Sequence, residues 1–203
     1  MSTDEKIGAA LNAARTGDVQ AQGELLGRYR SWLLVLAEGQ LGRRLPGKCD
    51  ASDLVQQTLL AACRDLPKFR GATEPELRAW LRQVLAHEFG HELRRYFGTR
   101  QRDINREVSI EQGLDQSSQR LKEWLVSSDS SPSRQASHRE DELKLAEALA
   151  RLPAHYRTVI VLRNLEGLPH ADVAERMGRS DGDVRMLWVR ALAQLRRELE
   201  SVV

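Results

Sequence analysis

Residues 168–195 read LPHADVAERMGRSDGDVRMLWVRALAQL. Small Ala174 falls where two helices must cross closely, and Gly178 falls where the chain needs the left-handed turn conformation. Val173, Met177, Val184 and Leu187 supply a shared apolar core. Ser180, followed three residues later by Asp183, is a variant capping arrangement that starts a second helix. Together these positions have the spacing of a helix-turn-helix. The outer side of its second helix offers Arg185, Met186, Val189 and Arg190, a mixture suited to base edges, thymine methyls and phosphates. Asp181 and Asp183 sit badly for phosphate contact, so they must face the cap or the partner helix.

Apolar residues at helical spacing recur along almost the whole chain, and no alternating β-branched run is long enough for a strand pair. The predicted fold class is all-α. Helices are expected over 4–16 and over 18–41, the second with Leu25, Leu26, Tyr29, Trp32, Leu33 and Leu36 on one broad face before Pro46 and Gly47 break the pattern. Ser52 is the expected N-cap of the next helix, with Asp53 in its first turn, and Leu54, Val55, Thr58, Leu59, Ala62 and Leu66 carry it to Pro67. A further helix spans 74–96, with Pro75 in its first turn. Residues 107–139 hold nine serines and few clustered apolar residues. They are read as a flexible serine-rich linker with a short helix near 121–126. Periodicity resumes at Glu140, stops at Pro153, resumes to Leu165, and two more short helices follow Gly167. The reading is two small helical domains, 1–106 and 140–203, joined by the linker 107–139.

Composition agrees. The chain has 203 residues, 41% hydrophobic and 30% charged, enough for real cores with well-solvated faces. Its net charge is only +2, so any grip on a polyanion must come from local patches. The bases are 26 Arg against 5 Lys, and Arg is the side chain whose planar fork grips phosphate and guanine edges. Cys49 and Cys63 form no CxxC pair, which excludes a disulfide framework or zinc cage and fits a reducing cytoplasm. The acidic N-terminus and the lack of a long apolar run predict neither secretion nor membrane insertion.

A second cluster lies at the end of the 74–96 helix, where Arg94, Arg95, Arg100, Arg102 and Arg106 interleave with Trp80, Phe89, Tyr96 and Phe97. Arginines among aromatics suit single-stranded nucleic acid, although Trp80 by itself reads as core. The same helix carries His87-Glu88-Phe89-Gly90-His91. That spacing matches the zinc-hydrolase pattern His-Glu-x-x-His, but a catalytic zinc needs a third protein ligand, and the other histidines stand far along the chain.

The segments DASDLVQQ at 50–57, PKFRG at 67–71 and LRAWL at 77–81, then Leu152-Pro153 to Glu166-Gly167-Leu168 and the helix-turn-helix, occur in this order. In that order the chain resembles the extracytoplasmic-function group of the sigma-70 family of bacterial RNA polymerase sigma factors. The resemblance covers about 21–101 and 140–199. It implies a dissociable subunit that binds core RNA polymerase, directs it to promoters and opens them, with no bond made or broken and no cofactor or metal. It implies Asp53, Gln56 and Gln57 as polymerase contacts. Phe69, Arg70, Gly71 and His87 match positions that meet the single-stranded non-template −10 element. His87 and His91 depart from the Asn and polar residue usual there, which gives the zinc-like motif a simpler origin. Ser180, Gly182, Arg185, Met186, Val189 and Arg190 match positions that contact the double-stranded −35 element. An anti-sigma factor covering these faces is a common regulator of the family.

Two other classes compete. A stand-alone helix-turn-helix regulator would bind its operator without polymerase, and a zinc hydrolase would hold metal through His87 and His91.

Overall fold

The computed structural model describes residues 3–44, 49–97, 104–128 and 135–201. Among the described residues ten α-helices follow one another: α1 Thr3–Arg15, α2 Val19–Gly27, α3 Arg30–Arg44, α4 Ala51–Asp65, α5 Glu74–Phe97, α6 Ile104–Ser128, α7 Gln135–Arg151, α8 Ala154–Ile160, α9 His170–Met177 and α10 Asp181–Ser201. A 3₁₀ turn at Leu66–Lys68 follows α4, and a π turn at Val161–Leu165 prolongs α8. The described residues contain no strand, and the all-α reading holds.

α3 organises the core. Trp32, Leu33, Val35, Leu36, Ala37, Gln40 and Leu41 are all buried, so α3 is apolar nearly all round and must be enclosed. α4, α6 and α7 pack against it, joined by the π turn and by the edge of α5. The expected single helix over 18–41 is two helices, because the chain turns at Arg28 and Tyr29 between α2 and α3. That turn leaves the Tyr29 ring fully buried and its hydroxyl 3.4 Å from Glu74 Oε1. The cap of α4 is Asp50 rather than Ser52: its carboxylate accepts from Ser52 N at 2.7 Å, while Ser52 Oγ accepts from Arg30 of α3.

The stretch read as a flexible linker is the largest correction. α6 runs through most of it and buries Ile110, Leu114, Ser117, Ser118 and Leu121. These positions form one helical stripe in which two serines stand where apolar residues usually do. Ser117 Oγ donates to Glu166 Oε1 at 2.7 Å, and Arg120 Nη1 donates to Leu165 O at 2.7 Å. A Cβ on Gly113 would stand 2.6 Å from the Gln40 amide, and one on Gly39 would stand 2.5 Å from Glu166 Oε1. Small residues here permit close helix approach, the opposite of the solvated linker that their composition suggests. Residues 129–134 of the expected linker lie outside the described residues.

The second helical unit closes on the first through charged groups. The Glu142 carboxylate of α7 is buried, accepting from Trp32 Nε1 at 2.9 Å and from Arg78 Nη1 at 2.5 Å. Arg78 also binds Glu74 through Nε and Nη2, at 3.1 and 2.8 Å, and its guanidinium lies 5.7 Å from the Trp32 ring. A second tie joins Arg157 Nε of α8 to Glu38 of α3 at 2.7 Å. Burial pushes the Glu38 carboxyl above its usual range, and the Arg157 cation pulls it partly back.

Removing one partner of a buried pair leaves the other desolvated and short of a bond. Glu142→Ala is therefore expected to cost about 3 kcal/mol in urea unfolding followed by tryptophan fluorescence. Glu142→Gln, which keeps an acceptor for Trp32, should cost less. A loss below about 1 kcal/mol for Glu142→Ala would show that the carboxylate is not a tie between the two units.

Candidate nucleic-acid and polymerase interfaces

The helix-turn-helix forms as its spacing predicts. Gly178 ends α9 in the left-handed region at φ 61°, which a side chain would strain. Val173, Ala174, Val184 and Leu187 are buried between α9 and α10. Ser180 Oγ accepts from Asp183 N at 3.1 Å and donates to Asp183 Oδ2 at 2.7 Å, so Asp183 faces the cap. Trp188 is anchored from below, its Nε1 donating to Asn164 Oδ1 at 2.9 Å and its ring meeting His170 edge-on at 5.5 Å. Burial lowers the His170 pKa, the Arg163 and Arg185 cations lower it further, and Asp181 opposes them.

With the inner face fixed, the outer face of α10 is set. Gly182, Arg185, Met186, Val189 and Arg190 are exposed, and Ser180 is exposed at the turn. Met186 and Val189 are each 55% exposed, an apolar strip bordered by two arginines. Arg185 is bound within its own helix, Nε donating to Asp181 Oδ2 at 2.7 Å. Sequence spacing did not disclose that pairing, although the i, i+4 distance permits it.

The loop before α5 is built around a ring stack. Phe69 lies on Trp80 with centroids 4.9 Å apart and planes inclined by 28°, and the Arg15 guanidinium sits 5.5 Å from the Phe69 centroid. Arg15 Nη2 also donates to Gly71 O. A Cβ on Gly71 would run into the Phe69 ring and stand 2.9 Å from Glu76 Cβ. Phe69 and Gly71 are thus the packed wall of this loop, and Arg70 is its exposed cation. Glu76 ties the loop to the helix start, accepting from Ala72 N at 2.8 Å, Thr73 N at 2.9 Å and Thr73 Oγ1 at 2.8 Å.

Farther along α5, Gln83, His87 and His91 share one exposed face at four-residue steps. The two imidazoles meet edge-on at 4.5 Å, and Glu88 lies 3.5 Å from His87 Nδ1. Among the described residues no third donor stands with them to complete a metal site. Phe89 is core, whereas Tyr96 is 44% exposed. The side chains of Phe97, Arg100, Arg102 and Arg106 lie outside the described residues.

On α4 the face opposite the core carries Asp53, Gln56 and Gln57, all exposed. Leu60, one turn on, is 65% exposed in the same row. Sequence reading, which placed Leu54, Val55, Thr58, Leu59, Ala62 and Leu66 on the apolar face, made no statement about it.

Comparison with known proteins decides what these faces belong to. Residues 25–96 match sigma-70 region 2, and residues 142–195 match sigma-70 region 4. The RNA polymerase sigma-E factor of Streptomyces avermitilis is 32% identical over 160 residues, covering 78% of this chain and 76% of that one. The chain belongs to the extracytoplasmic-function group of the sigma-70 family. The ECF RNA polymerase sigma factor SigD of Mycobacterium tuberculosis is 28% identical over 196 residues, with 96% of this chain and 84% of that protein covered. The solved RsbN–BldN complex contains a chain 22% identical, covering 92% of this one and 97% of its own length, with a TM-score of 0.33. This sigma factor is thus a transcription-initiation factor, and neither the zinc hydrolase nor the stand-alone regulator is favoured. Region 2 takes in α3, α4 and almost all of α5, and region 4 opens at the buried Glu142. Among the described residues no helix is long and apolar enough to cross a membrane.

The Glu76 bonds make a pH test. Backbone and side-chain bonds from Ala72 and Thr73 hold its carboxyl below the usual range. Their stabilising effect is present above the ordinary glutamate range and is lost as pH falls through the lower folded value. Unfolding free energies of the parent and of Glu76→Gln should differ at neutral pH and converge in acid. Parallel curves would refute the loop tie.

Proposed function

We propose that this sigma factor engages core RNA polymerase through the exposed α4 row of Asp53, Gln56, Gln57 and Leu60. It then reads a promoter with two separate faces. The −35 face is Ser180, Gly182, Arg185, Met186, Val189 and Arg190, presented to the major groove of duplex DNA. The −10 face is Arg70, in a loop shaped by Phe69 and Gly71, with His87 and its neighbour Gln83 along α5. A flipped base of the non-template strand needs a walled pocket beside a cation, and the Phe69–Trp80 stack beside Arg70 supplies both kinds of group.

The observation that carries this reading is the outer face of α10, with two half-exposed apolar side chains bordered by arginines on a helix whose inner face is fully packed. Apolar groups suit thymine methyls, and arginines suit guanine and phosphate. The chain acts by binding and makes or breaks no bond. A net charge of +2 fits this role, because promoter specificity belongs to the assembly in which polymerase presents both faces together. A cytoplasmic site of action follows from such partners. An anti-sigma factor is a further partner that membership of this family implies.

The purified chain is expected to form a stable complex with core polymerase on gel filtration, and Leu60→Asp should weaken that complex about tenfold or more. Because Leu60 is largely exposed, the variant should melt at the parent temperature. A folded parent protein that fails to bind core polymerase would overturn the reading. An unchanged affinity in Leu60→Asp would remove the α4 row from it.

A further inference from the structure

Arg185 is held before any DNA arrives. Its Nε is committed to Asp181 Oδ2 at 2.7 Å, one helical turn toward the N-terminus. A guanidinium anchored through Nε still leaves the outer N–H of each Nη group as a parallel pair of donors at its far end. Guanine presents O6 and N7 to the major groove as a matching pair of acceptors.

Asp181 is itself confined. It stands in the first turn of α10, where a carboxylate suits the helix dipole. Its second oxygen, Oδ1, is shielded from solvent and has no hydrogen-bond partner among the described residues. On the inner side the Trp188–His170 contact fixes the helix, and both Asp181 and Arg185 act on the His170 charge.

The helix dipole gives this carboxylate a modest stabilising role, but neither its pairing with Arg185 nor affinity for DNA accounts for it. The pair is well exposed, with side chains 63% and 44% accessible, and such pairs contribute little to folding. At the tip of a helix presented to a polyanion, a negative charge opposes binding. What the carboxylate does supply is orientation of the Arg185 fork.

We propose that Asp181 is a positioning residue for promoter selectivity, holding the Arg185 Nη pair in the geometry that selects guanine while lowering overall affinity for DNA. The proposal rests on the reading of α10 as the −35 helix. It predicts that discrimination and affinity move in opposite directions when Asp181 is removed, which loss of structure would not produce.

The test uses the full chain assembled with core polymerase and a pool of DNA duplexes randomised across the −35 element, with bound sequences counted. The parent should enrich guanine at one position. Asp181→Ala should reduce that preference roughly tenfold while total bound DNA stays equal or rises. Asp181→Glu, which restores a carboxylate within reach, should recover part of the preference. Thermal melts confirm folding, and Asp181→Asn, scored for reduced preference at undiminished binding, replaces the alanine variant should that one unfold. An undiminished guanine preference without the Asp181 carboxylate overturns the proposal. So does a parallel loss of preference and total binding in a folded variant. Arg185→Ala separates the underlying reading: if it leaves every base preference unchanged, Arg185 is not a base reader and the −35 assignment of that residue fails. If it abolishes the preference while Asp181→Ala does not, only the positioning role fails.

Discussion

The buried Glu142 carboxylate, together with the Arg157–Glu38 pair, joins the two sigma regions. It sits between the Trp32 indole N–H and the Arg78 guanidinium, which is shared with Glu74. All four side chains are almost wholly withdrawn from water. Taking three charges out of water is costly, so this contact adds less net stability than an apolar seam of the same size would. Its requirement is directional. Each oxygen of Glu142 has its own donor, and displacement of α7 would leave a charge desolvated and unpaired. Region 4 begins at Glu142, and every later element takes its position from α7 or from helices packed on it.

Seen from that contact, the surfaces divide cleanly. α3 spends all its faces on the interior, and α6 fills the space between α3, α5 and the π turn. The exposed surfaces proposed for partners are the outer rows of α4, α5 and α10 and the loop after the 3₁₀ turn. Each has its own chemistry: polar with one leucine on α4, imidazole and amide on α5, arginine with apolar groups on α10. The loop is preset, because the Phe69–Trp80 stack and the Glu76 carboxylate fix it from both ends.

The sequence disclosed the parts whose partners lie close along the chain. Gly178, the Ser180–Asp183 cap and the Val173, Val184 and Leu187 core fall within a stretch of fifteen residues, and all were legible. So was the apolar face of α4, which needs only a helical period. Features set by distant partners were not legible. Ser117 bonds to Glu166, forty-nine positions away, and Gly113 lies against Gln40. Composition alone makes such residues look like a spacer. Phe69 was read as part of a base-capturing surface through the resemblance alone, and its stacking on Trp80 and its contact with Arg15 were not legible. The Asp181–Arg185 pair lies within one turn, but two opposite charges four residues apart do not by themselves say whether they bind each other or solvent.

The central claim is that one chain reads two promoter elements with two faces held at a spacing that polymerase imposes. Sequencing transcript 5′ ends after raised expression of this sigma factor tests it most directly, because both faces report in one experiment. The account predicts new start sites that share two short conserved elements upstream, separated by a nearly constant distance, with guanine prominent in the upstream element. New start sites sharing only one element, or two elements at unrelated spacings, would contradict it.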